Sequence, residues 1–222
     1  MQKVKAVIFD FDGTMLDSER LNAIVFDKVM IELGYKIPDA YNWYFENAVG
    51  SRVDKIMLRM QEDFGIEPNP SFIELYRNYR TEFYKTNPPQ AKKGLIELLD
   101  FIKSKNLKIA ICSSSRLDQI KLKMEKAGVS LDYFDVIVDG TAVRESKPHP
   151  EPYQAACRIL GVNPKNAIVL EDSSHGIISA HAAGIPVILV PDVKVDPKTQ
   201  KLAWHTVESL DLVIPLLKNY FE

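Results

Sequence analysis

Apolar and polar positions from residue 92 onward switch repeatedly between the period of a helix and the short unbroken apolar runs of buried strands. The predicted helices are residues 94–105, 116–127, 150–160 and 174–183, and the predicted strands are residues 107–112, 136–138, 166–170 and 187–190. Glycines end three of these helices, at Gly128, Gly161 and Gly184. Strands that alternate with helices of this length indicate an α/β fold, with a doubly wound parallel (Rossmann-like) sheet covered on both faces.

Residues 16–87 break this alternation, because they show helical periodicity and contain no convincing strand. The predicted helices of this part are residues 18–33, 51–64 and 71–84. The run Asn87-Pro88-Pro89 then breaks the chain before the alternating region begins. The sequence therefore predicts an all-helical insert at 16–87 within an α/β core formed by 1–15 and 88–222. A polar stretch at 194–201 predicts a surface loop.

The first apolar strand runs directly into two aspartates, Asp10 and Asp12, and Gly13 then turns the chain. Strand side chains alternate faces with a period of two, so we expect the two carboxylates to point the same way. The carboxyl ends of parallel strands are also where open sheets bind ligands. One carboxylate can attack an electrophile while the other transfers a proton. Asp and Gly are ordinary turn residues as well, so this segment by itself leaves both interpretations open.

Three later segments place chemically capable residues after a predicted strand or at the start of a predicted helix. They are Ser113, Ser114, Ser115 and Arg116 after the strand 107–112, Lys147 before the helix 150–160, and Glu171 and Asp172 after the strand 166–170. Each segment has an ordinary structural explanation: helix capping for the serines, a surface charge for the lysine, an acidic first turn for the carboxylates. Their joint occurrence in this order favours a functional site.

Taken with the first aspartate pair, these segments resemble the four signature motifs of the haloacid dehalogenase superfamily, and the resemblance covers essentially the whole chain. It extends to the Ala-Ala-Gly run at 182–184 and to the Lys-Lys-Gly run at 92–94. The pattern is most similar to the branch that holds β-phosphoglucomutase and small sugar-phosphate phosphatases. The resemblance implies that the insert is a four-helix cap, which would open for the substrate and close to exclude water.

The resemblance also implies an aspartyl-phosphate mechanism, in which Asp10 would attack phosphorus. Asp12 would protonate the leaving oxygen and then deprotonate the hydrolytic water. That role requires a protonated Asp12 at the start of the cycle, and we expect neighbouring carboxylates to raise its pKa. Lys147 would hold Asp10 and the phosphoryl group in line, while Ser113 would hold a phosphoryl oxygen. Gly13 would permit the tight turn that follows the strand.

Four carboxylates, on Asp10, Asp12, Glu171 and Asp172, would share one pocket and repel an incoming phosphate. A cation is therefore expected, and Mg²⁺ is the natural candidate because it prefers hard oxygen ligands. By resemblance, its ligands would be the Asp10 carboxylate, the Asp12 backbone carbonyl and Asp172. Glu171 would be either a ligand or a partner of the ligands.

Candidate substrate-binding residues come from the insert and from the serine motif. Gly50 and Arg52 lie in a glycine-led loop that resembles the one through which related caps contact substrates. Arg116 matches a position where relatives place a cation near a second phosphate. Both arginines have the alternative explanation of an ordinary surface charge. Ser114, Ser115, Gly13 and Asn22 complete the candidate set.

Phosphatase and phosphomutase chemistry both use the aspartate pair, and they differ in whether water or a sugar hydroxyl accepts the phosphoryl group. The mutase branch usually carries a histidine where this chain has Asn22, which cannot titrate. We therefore expect a Mg²⁺-dependent phosphatase acting on a small phosphorylated metabolite, with a sugar phosphate favoured by the branch resemblance. The alternative is a β-phosphoglucomutase-like isomerase. A non-catalytic binding protein would be expected to lose a charged motif residue, and none is missing.

The 222 residues carry a formal net charge of −2, which leaves no basic footprint for nucleic acid or for an anionic membrane. No apolar run approaches membrane-spanning length, and we expect no signal peptide because the chain opens on a strand. Cys112 and Cys157 lie in apolar patterns, so we expect buried thiols and a reducing cytoplasm. No feature demands a protein partner, and we expect a monomer.

Overall fold

The computed structural model describes residues 3–192 and 194–218 of the chain. Its strands are Ala6–Phe9 (β1), Leu16–Asp17 (β2), Gln90–Ala91 (β3), Lys108–Cys112 (β4), Val136–Val138 (β5), Ala167–Glu171 (β6), Val187–Leu189 (β7) and His205–Thr206 (β8). Its α-helices are Glu19–Glu32 (α1), Ala40–Asn47 (α2), Val53–Phe64 (α3), Pro70–Thr86 (α4), Leu95–Ser104 (α5), Leu117–Lys126 (α6), Glu151–Leu160 (α7), Ser174–Ala182 (α8), Pro197–Gln200 (α9) and Val213–Lys218 (α10).

Six strands form one parallel sheet in the order β5-β4-β1-β6-β7-β8. The side chains of the central strand β1 are buried on both faces of this sheet. Val7 and Phe9 pack on one face with residues of α5, α6 and α10, whereas Ala6 and Ile8 pack on the other with residues of α7 and α8. Helices on both faces of a parallel sheet make the doubly wound arrangement, so the predicted fold class is confirmed.

The predicted helices and strands of the alternating region are all present, and their bounds differ from the predicted ones by at most one residue at each end. The prediction for residues 194–201 is wrong in part, because this polar stretch contains the short helix α9. The Asp196 carboxylate accepts the backbone N–H of Thr199 at 2.9 Å and so caps this helix. A helix of one turn formed by a local cap shows no periodicity, which is why the hydrophobic pattern does not reveal it.

The expectation of no strand in residues 16–87 is wrong at Leu16–Asp17. This two-residue strand pairs antiparallel with Gln90–Ala91, so the two chain segments that join the insert to the core run side by side. Two residues are too few to show strand alternation, and the partner strand lies at the far end of the insert. Only the folded chain brings the two segments together.

The four helices α1 to α4 follow one another between β2 and β3 and share a hydrophobic cluster of their own. Phe26 of α1 lies at its centre, with ring centroids 5.6 Å from Trp43, 5.4 Å from Tyr44 and 6.1 Å from Phe72. Aromatic rings in contact prefer defined relative orientations, so these pairs stabilise the packing of the insert beyond the apolar area that they bury. The insert is thus helical and has its own core, and its role as a mobile cap stays a prediction.

None of the described helices is long and apolar enough to cross a membrane. Cys112, at the end of β4, and Cys157, in α7, are both free and buried, as the sequence predicts.

Candidate active site

The residues of the sequence motifs converge at the carboxyl edge of the sheet, because neighbouring parallel strands end there. Asp10 directly follows β1, Ser113 follows β4 and Asp172 follows β6. Lys147 reaches the same place from the segment between β5 and α7. The structure buries all four side chains, so the motifs form one site that is largely shielded from water.

Lys147 is the cation at the centre of this site. Its Nζ atom donates to Asp10 Oδ1 at 2.5 Å, to Glu171 Oε1 at 2.7 Å and to the backbone carbonyl of Cys112 at 3.2 Å. Lys147 is 2% exposed, and both carboxylates are buried beside it. The two negative charges hold the pKa of Lys147 above its ordinary value although burial opposes this. The lysine therefore stays charged and fixes the position of Asp10.

Glu171 is saturated by protein donors. Oε1 accepts from Lys147 and from the Tyr153 hydroxyl at 2.8 Å, while Oε2 accepts the backbone N–H groups of Asp172 and Ser173, both at 3.0 Å. Burial raises the pKa of Glu171, but Lys147 and these donors outweigh it and keep the pKa below its ordinary value. This arrangement suits a group that positions Lys147 and Asp172 better than it suits a direct metal ligand.

Asp172, unlike Glu171, has an oxygen that no described protein donor reaches. Its Oδ1 accepts from the Thr14 hydroxyl at 3.0 Å, whereas its Oδ2 is buried with no hydrogen-bond partner among the described residues. Burial, followed by the negative charges of Glu171 and Asp10, raises its pKa well above the ordinary value. Oxygens of Asp10, Glu171 and Asp172 all lie within 4.8 Å of one another. An orphaned carboxylate oxygen in a crowded acidic pocket fits a hard divalent cation such as Mg²⁺.

Gly13 keeps space open beside that oxygen. Its φ of +82° lies in the region that favours glycine, and a Cβ atom built on it would lie 2.2 Å from Asp172 Oδ2. A side chain at this position would collide with the Asp172 carboxylate and displace the candidate metal ligand. The structure places Gly13 against the candidate metal site, and its predicted role in substrate binding stays a prediction.

Asp12 contacts a different lysine from Asp10. One of its oxygens accepts from Lys123 Nζ and the Ser18 hydroxyl, and the other accepts from the Ser115 hydroxyl at 2.7 Å. Although burial raises its pKa, Lys123 and the hydroxyl donors lower it below the ordinary value. The expectation of a raised pKa for Asp12 is therefore wrong in this structure, because the nearest charge is a cation rather than a carboxylate.

Lys123 is a participant that the sequence motifs did not reveal. It lies in α6 with no exposed surface, 111 residues from Asp12 in the chain, and its Nζ is 5.4 Å from the Phe11 ring centroid and 5.2 Å from that of Tyr84. The one feature of the sequence that could have indicated its burial is its position next to Met124, on the apolar side of the helix. A lysine there ordinarily extends its ammonium group to water.

A cavity of about 310 Å³ lies between this edge of the sheet and the helical insert. Asp10, Asp12 and Ser113 line it from the core, and α1, α3 and α4 contribute the opposite wall. Most ligand pockets start at about this volume, so the cavity suits a compact molecule. The cavity opens directly onto Asp10, the residue predicted to be the nucleophile.

The predicted substrate-binding residues Gly50, Asn22, Ser114, Ser115, Arg52 and Arg116 all line this cavity. Several of their side chains are already engaged by protein groups. Arg52 pairs with Asp54 at 2.7 Å and 2.8 Å. The Ser114 hydroxyl donates to the carbonyl of Gly50 at 2.9 Å and so ties the insert to the core. Arg116 is half exposed and only loosely paired, with its Nε 3.3 Å from Asp118 Oδ1.

The sequence comparisons agree with this geometry. The sequence model of the haloacid dehalogenase-like hydrolase family matches residues 7–190. The chain belongs to this family. It is 31% identical over 193 residues to the phosphoglycolate phosphatase of Thiobacillus denitrificans. The aligned region covers 85% of this chain and 83% of that protein. It is also 30% identical over 188 residues to the chloroplastic protein SUPPRESSOR OF QUENCHING 1 of Arabidopsis thaliana, covering 85% of this chain and 18% of that protein.

The fold of this haloacid dehalogenase-like hydrolase is shared by solved structures. CbbY of Rhodobacter sphaeroides in complex with phosphate superposes with a TM-score of 0.79 at 23% identity, over 94% of this chain and 95% of that one. At this identity the likeness concerns the fold alone. The roles of individual residues in the hydrolase therefore depend on its own geometry.

One further group of the hydrolase lies at the junction of insert and core. Glu19 is buried in α1, and its Oε2 accepts from the Tyr44 hydroxyl at 2.9 Å and from the Asn22 amide at 3.3 Å. The Asn22 carbonyl oxygen accepts in turn from the Tyr84 hydroxyl. Burial, and then the negative charge of Asp12, raises the pKa of Glu19 from 4.5 to about 7. Asn22 is thereby locked in a hydrogen-bond network.

Replacing Glu19 with glutamine should stabilise the hydrolase above neutral pH. The folded-state pKa lies above the unfolded value, so the protonated form adds stability that is complete below pH 4.5 and lost as the pH rises towards 7. The neutral amide avoids this loss. We expect Glu19→Gln and wild type to differ little in acid, and the variant to gain about 3 kcal/mol in unfolding free energy at pH values above 7. Urea unfolding across this range measures the difference.

Glu46→Gln, at an exposed position of α2, is the matched control and should show no such gain. A difference between Glu19→Gln and wild type that stays constant with pH would mean that Glu19 titrates alike in the folded and unfolded chains.

Proposed function

We propose that this hydrolase is a Mg²⁺-dependent phosphatase that acts on a small phosphorylated metabolite through an aspartyl-phosphate on Asp10. The observation that carries the proposal is Asp10 held by Lys147 at one end of a compact cavity, beside the unpartnered oxygen of Asp172. A nucleophile, a fixed cation and a vacant ligand atom are what phosphoryl transfer requires. The relative from Thiobacillus denitrificans is named a phosphoglycolate phosphatase, which supports hydrolysis of a phosphate monoester.

Asp10, Asp172 and the backbone carbonyl of Asp12 would hold Mg²⁺, and Glu171 would support them through Lys147 and the N–H of Asp172. The bound cation would neutralise the acidic pocket and the charge of the phosphoryl group. This assignment accounts for the burial of three carboxylates, on Asp10, Glu171 and Asp172, beside a single lysine, because Lys147 is the one cation that the described ion pairs give to this group.

Asp10 would attack phosphorus with Oδ2, because Lys147 already holds Oδ1. A bond then forms between this oxygen and phosphorus while the bond to the leaving oxygen breaks. Ser113 lies in the cavity wall near Asp10 and would hold a phosphoryl oxygen. Lys147 would stabilise the charge that develops, with no reorganisation during the step because three acceptors fix it in place.

Asp12 would give a proton to the leaving oxygen and later take one from the hydrolytic water. Lys123, Ser18 and Ser115 hold it ionised in the present arrangement, which is the form that the second step needs. The first step needs proton uptake, and the negative charge of an arriving phosphate favours it by opposing the effect of Lys123.

The phosphomutase alternative requires a group that activates a sugar hydroxyl. Asn22 occupies the position that would carry it, and its side chain is bonded to Glu19 and Tyr84. An amide has no titrating proton, so this wall of the cavity favours water as the acceptor. The cytoplasmic location and the monomeric state stay predictions.

The proposal is tested by phosphate release with Mg²⁺ from phosphoglycolate, glycerol 3-phosphate, glucose 6-phosphate and β-glucose 1-phosphate with a bisphosphate primer. We expect hydrolysis of at least one ester, loss of activity with EDTA and recovery with added Mg²⁺. Conversion of the glucose phosphates without net phosphate release would assign the mutase. A folded protein that acts on no ester would contradict the proposal.

Mg²⁺ should also raise the melting temperature of the free protein, because a ligand that binds only the folded state stabilises it by mass action. We expect a rise of about 2–6 °C at saturating Mg²⁺ for wild type. Asp172→Asn should remove most of this rise, since it replaces the orphaned oxygen that the cation would use. An equal rise in Asp172→Asn and wild type would place the cation elsewhere.

A further inference from the structure

The helix α4 presents a buried, unpaired arginine to the cavity. Arg80 lines the cavity and is 7% exposed, and its guanidinium lies 4.7 Å from the ring centroid of Tyr76. Its Nε is buried with no hydrogen-bond partner among the described residues. Among residues 3–192 and 194–218, no ion pair includes Arg80. The Tyr76 ring is its described contact, and a buried cation that has an aromatic neighbour but no carboxylate beside it keeps an uncompensated charge, which is costly.

Asp12 is a candidate counter-ion for Arg80, but other groups already engage its carboxylate. Its charge acts on Arg80, but both its oxygens accept from Lys123, Ser18 and Ser115. Glu19 is likewise engaged by Tyr44 and Asn22, and its raised pKa leaves it only partly ionised at neutral pH.

Two further arginines face the same space. Arg77 lies one turn before Arg80 on the same side of α4 and lines the cavity, and no described side chain bonds its guanidinium. Arg116 lines the opposite wall at the start of α6. Burial, and then the positive charges of Arg116 and Arg80, lowers the pKa of Arg77. The three like charges repel one another in the free protein, and an anion between them would remove the repulsion.

The cavity is therefore divided by charge. Asp10 and Asp12 line its core end, where Asp10 belongs to the acidic cluster of the candidate metal site, and the unpaired guanidinium groups of Arg77 and Arg80 line its α4 end. Arg52 does not add to the positive end, because two short hydrogen bonds at 2.7 Å and 2.8 Å pair it with Asp54, whereas Arg116 has only one longer contact of 3.3 Å to the exposed Asp118. A phosphate ester whose far end is neutral would place its phosphate at the core end of the cavity. The positive charges at the α4 end would then remain without a counter-ion.

We propose that Arg80 and Arg77, with Arg116, form a subsite for a second anionic group of the substrate. The preferred substrates would then be phosphate esters whose far end carries a carboxylate or a second phosphate. This inference rests on the proposed phosphatase function and names its substrate class. The planar guanidinium fork binds both kinds of oxyanion in the same bidentate manner, so their shared chemistry defines the subsite.

The test compares matched pairs of esters that differ in the second anion. One pair is 3-phosphoglycerate against glycerol 3-phosphate, and the other is fructose 1,6-bisphosphate against fructose 6-phosphate. We expect kcat/KM to favour the doubly anionic member of at least one pair by about 10- to 100-fold, which matches the loss of one or two charge-assisted hydrogen bonds. Preference in the first pair identifies a carboxylate, and preference in the second identifies a phosphate.

Arg80→Met should erase most of this preference, mainly through a higher KM for the doubly anionic ester. Arg77→Met, at a half-buried position, provides a second variant if Arg80→Met fails to fold. Arg80→Lys, which keeps the charge but loses the fork, should retain an intermediate preference. Arg20→Met, an exposed arginine of α1 outside the cavity, should leave both members of each pair unchanged.

The outcomes separate this inference from the proposed function. Hydrolysis of p-nitrophenyl phosphate without preference in either pair would keep the phosphatase and overturn the subsite. Should no ester be hydrolysed, titration calorimetry with fructose 1,6-bisphosphate and fructose 6-phosphate still decides the matter. Tighter binding of the bisphosphate that Arg80→Met abolishes supports the subsite, and equal affinities overturn it.

Discussion

Asp10→Asn should lower phosphate release by a factor on the order of 10⁴ or more, because the amide cannot form the aspartyl-phosphate. The variant should fold normally. Burial raises the pKa of Asp10, so the ionised carboxylate is the costly form and a neutral amide of the same shape removes that cost. Lys147 keeps Glu171 as its partner in the variant. Phosphate release on the best ester of the panel, with thermal melting alongside, measures both effects.

Asp132→Asn, at an exposed position of the turn Leu131–Tyr133, is the control and should match wild type in both measurements. Residual activity of more than about a hundredth of wild type in Asp10→Asn would exclude Asp10 as the nucleophile, since loss of the attacking group leaves only binding and electrostatic effects. A lower melting temperature with unchanged activity would assign Asp10 a structural role.

Lys147→Met should affect stability and activity together. Removing the lysine leaves Asp10 and Glu171 buried side by side without their counter-ion. Breaking a buried ion pair by removing one partner costs about 3–5 kcal/mol, which corresponds to a fall of about 6–20 °C in melting temperature for a chain of this size. Activity should fall at least about 10³-fold, because the proposed nucleophile Asp10 loses both the contact that holds its position and the charge that would stabilise the transition state. Lys165→Met, at an exposed position, is the control.

The double variant Lys147→Met/Glu171→Gln separates the two roles of the lysine. Neutralising Glu171 removes one of the two uncompensated charges, so a large part of the lost stability should return. Activity should not return with it. Full recovery of activity in the double variant would mean that Lys147 acts only by balancing the charge of Glu171.

The convergence of Asp10, Ser113 and Asp172 was predictable because it depends on local rules. Each residue ends an apolar run with the length and composition of a buried strand, and parallel neighbours in one sheet end at the same edge. The helix bounds of the core followed from apolar spacing and from glycines with positive φ, such as Gly161 at φ 65°. These signals lie within a few residues of the features they specify.

The direction of the Asp12 pKa shift was predicted wrongly, because the interaction that sets it joins distant parts of the chain. The carboxylates that would raise its pKa are visible in the sequence motifs, but Lys123 lies 111 residues away and reaches Asp12 only through the packing of α6. The pairing of Leu16–Asp17 with Gln90–Ala91 was not predicted for the same reason, since the two segments are far apart in the chain. An interaction between distant segments leaves no periodic trace in either segment.

The sequence by itself determined the α/β fold, the helical insert, the four motifs of the candidate site and the order in which the sheet presents them, because strand and helix periods and turn residues act locally. Only the tertiary structure decided which charges are buried and which of them are paired. Lys123 and Arg80 occupy helix positions where a long cationic side chain ordinarily reaches water. Here the packing of the insert against the core covers both, pairing Lys123 with Asp12 and leaving Arg80 facing the cavity.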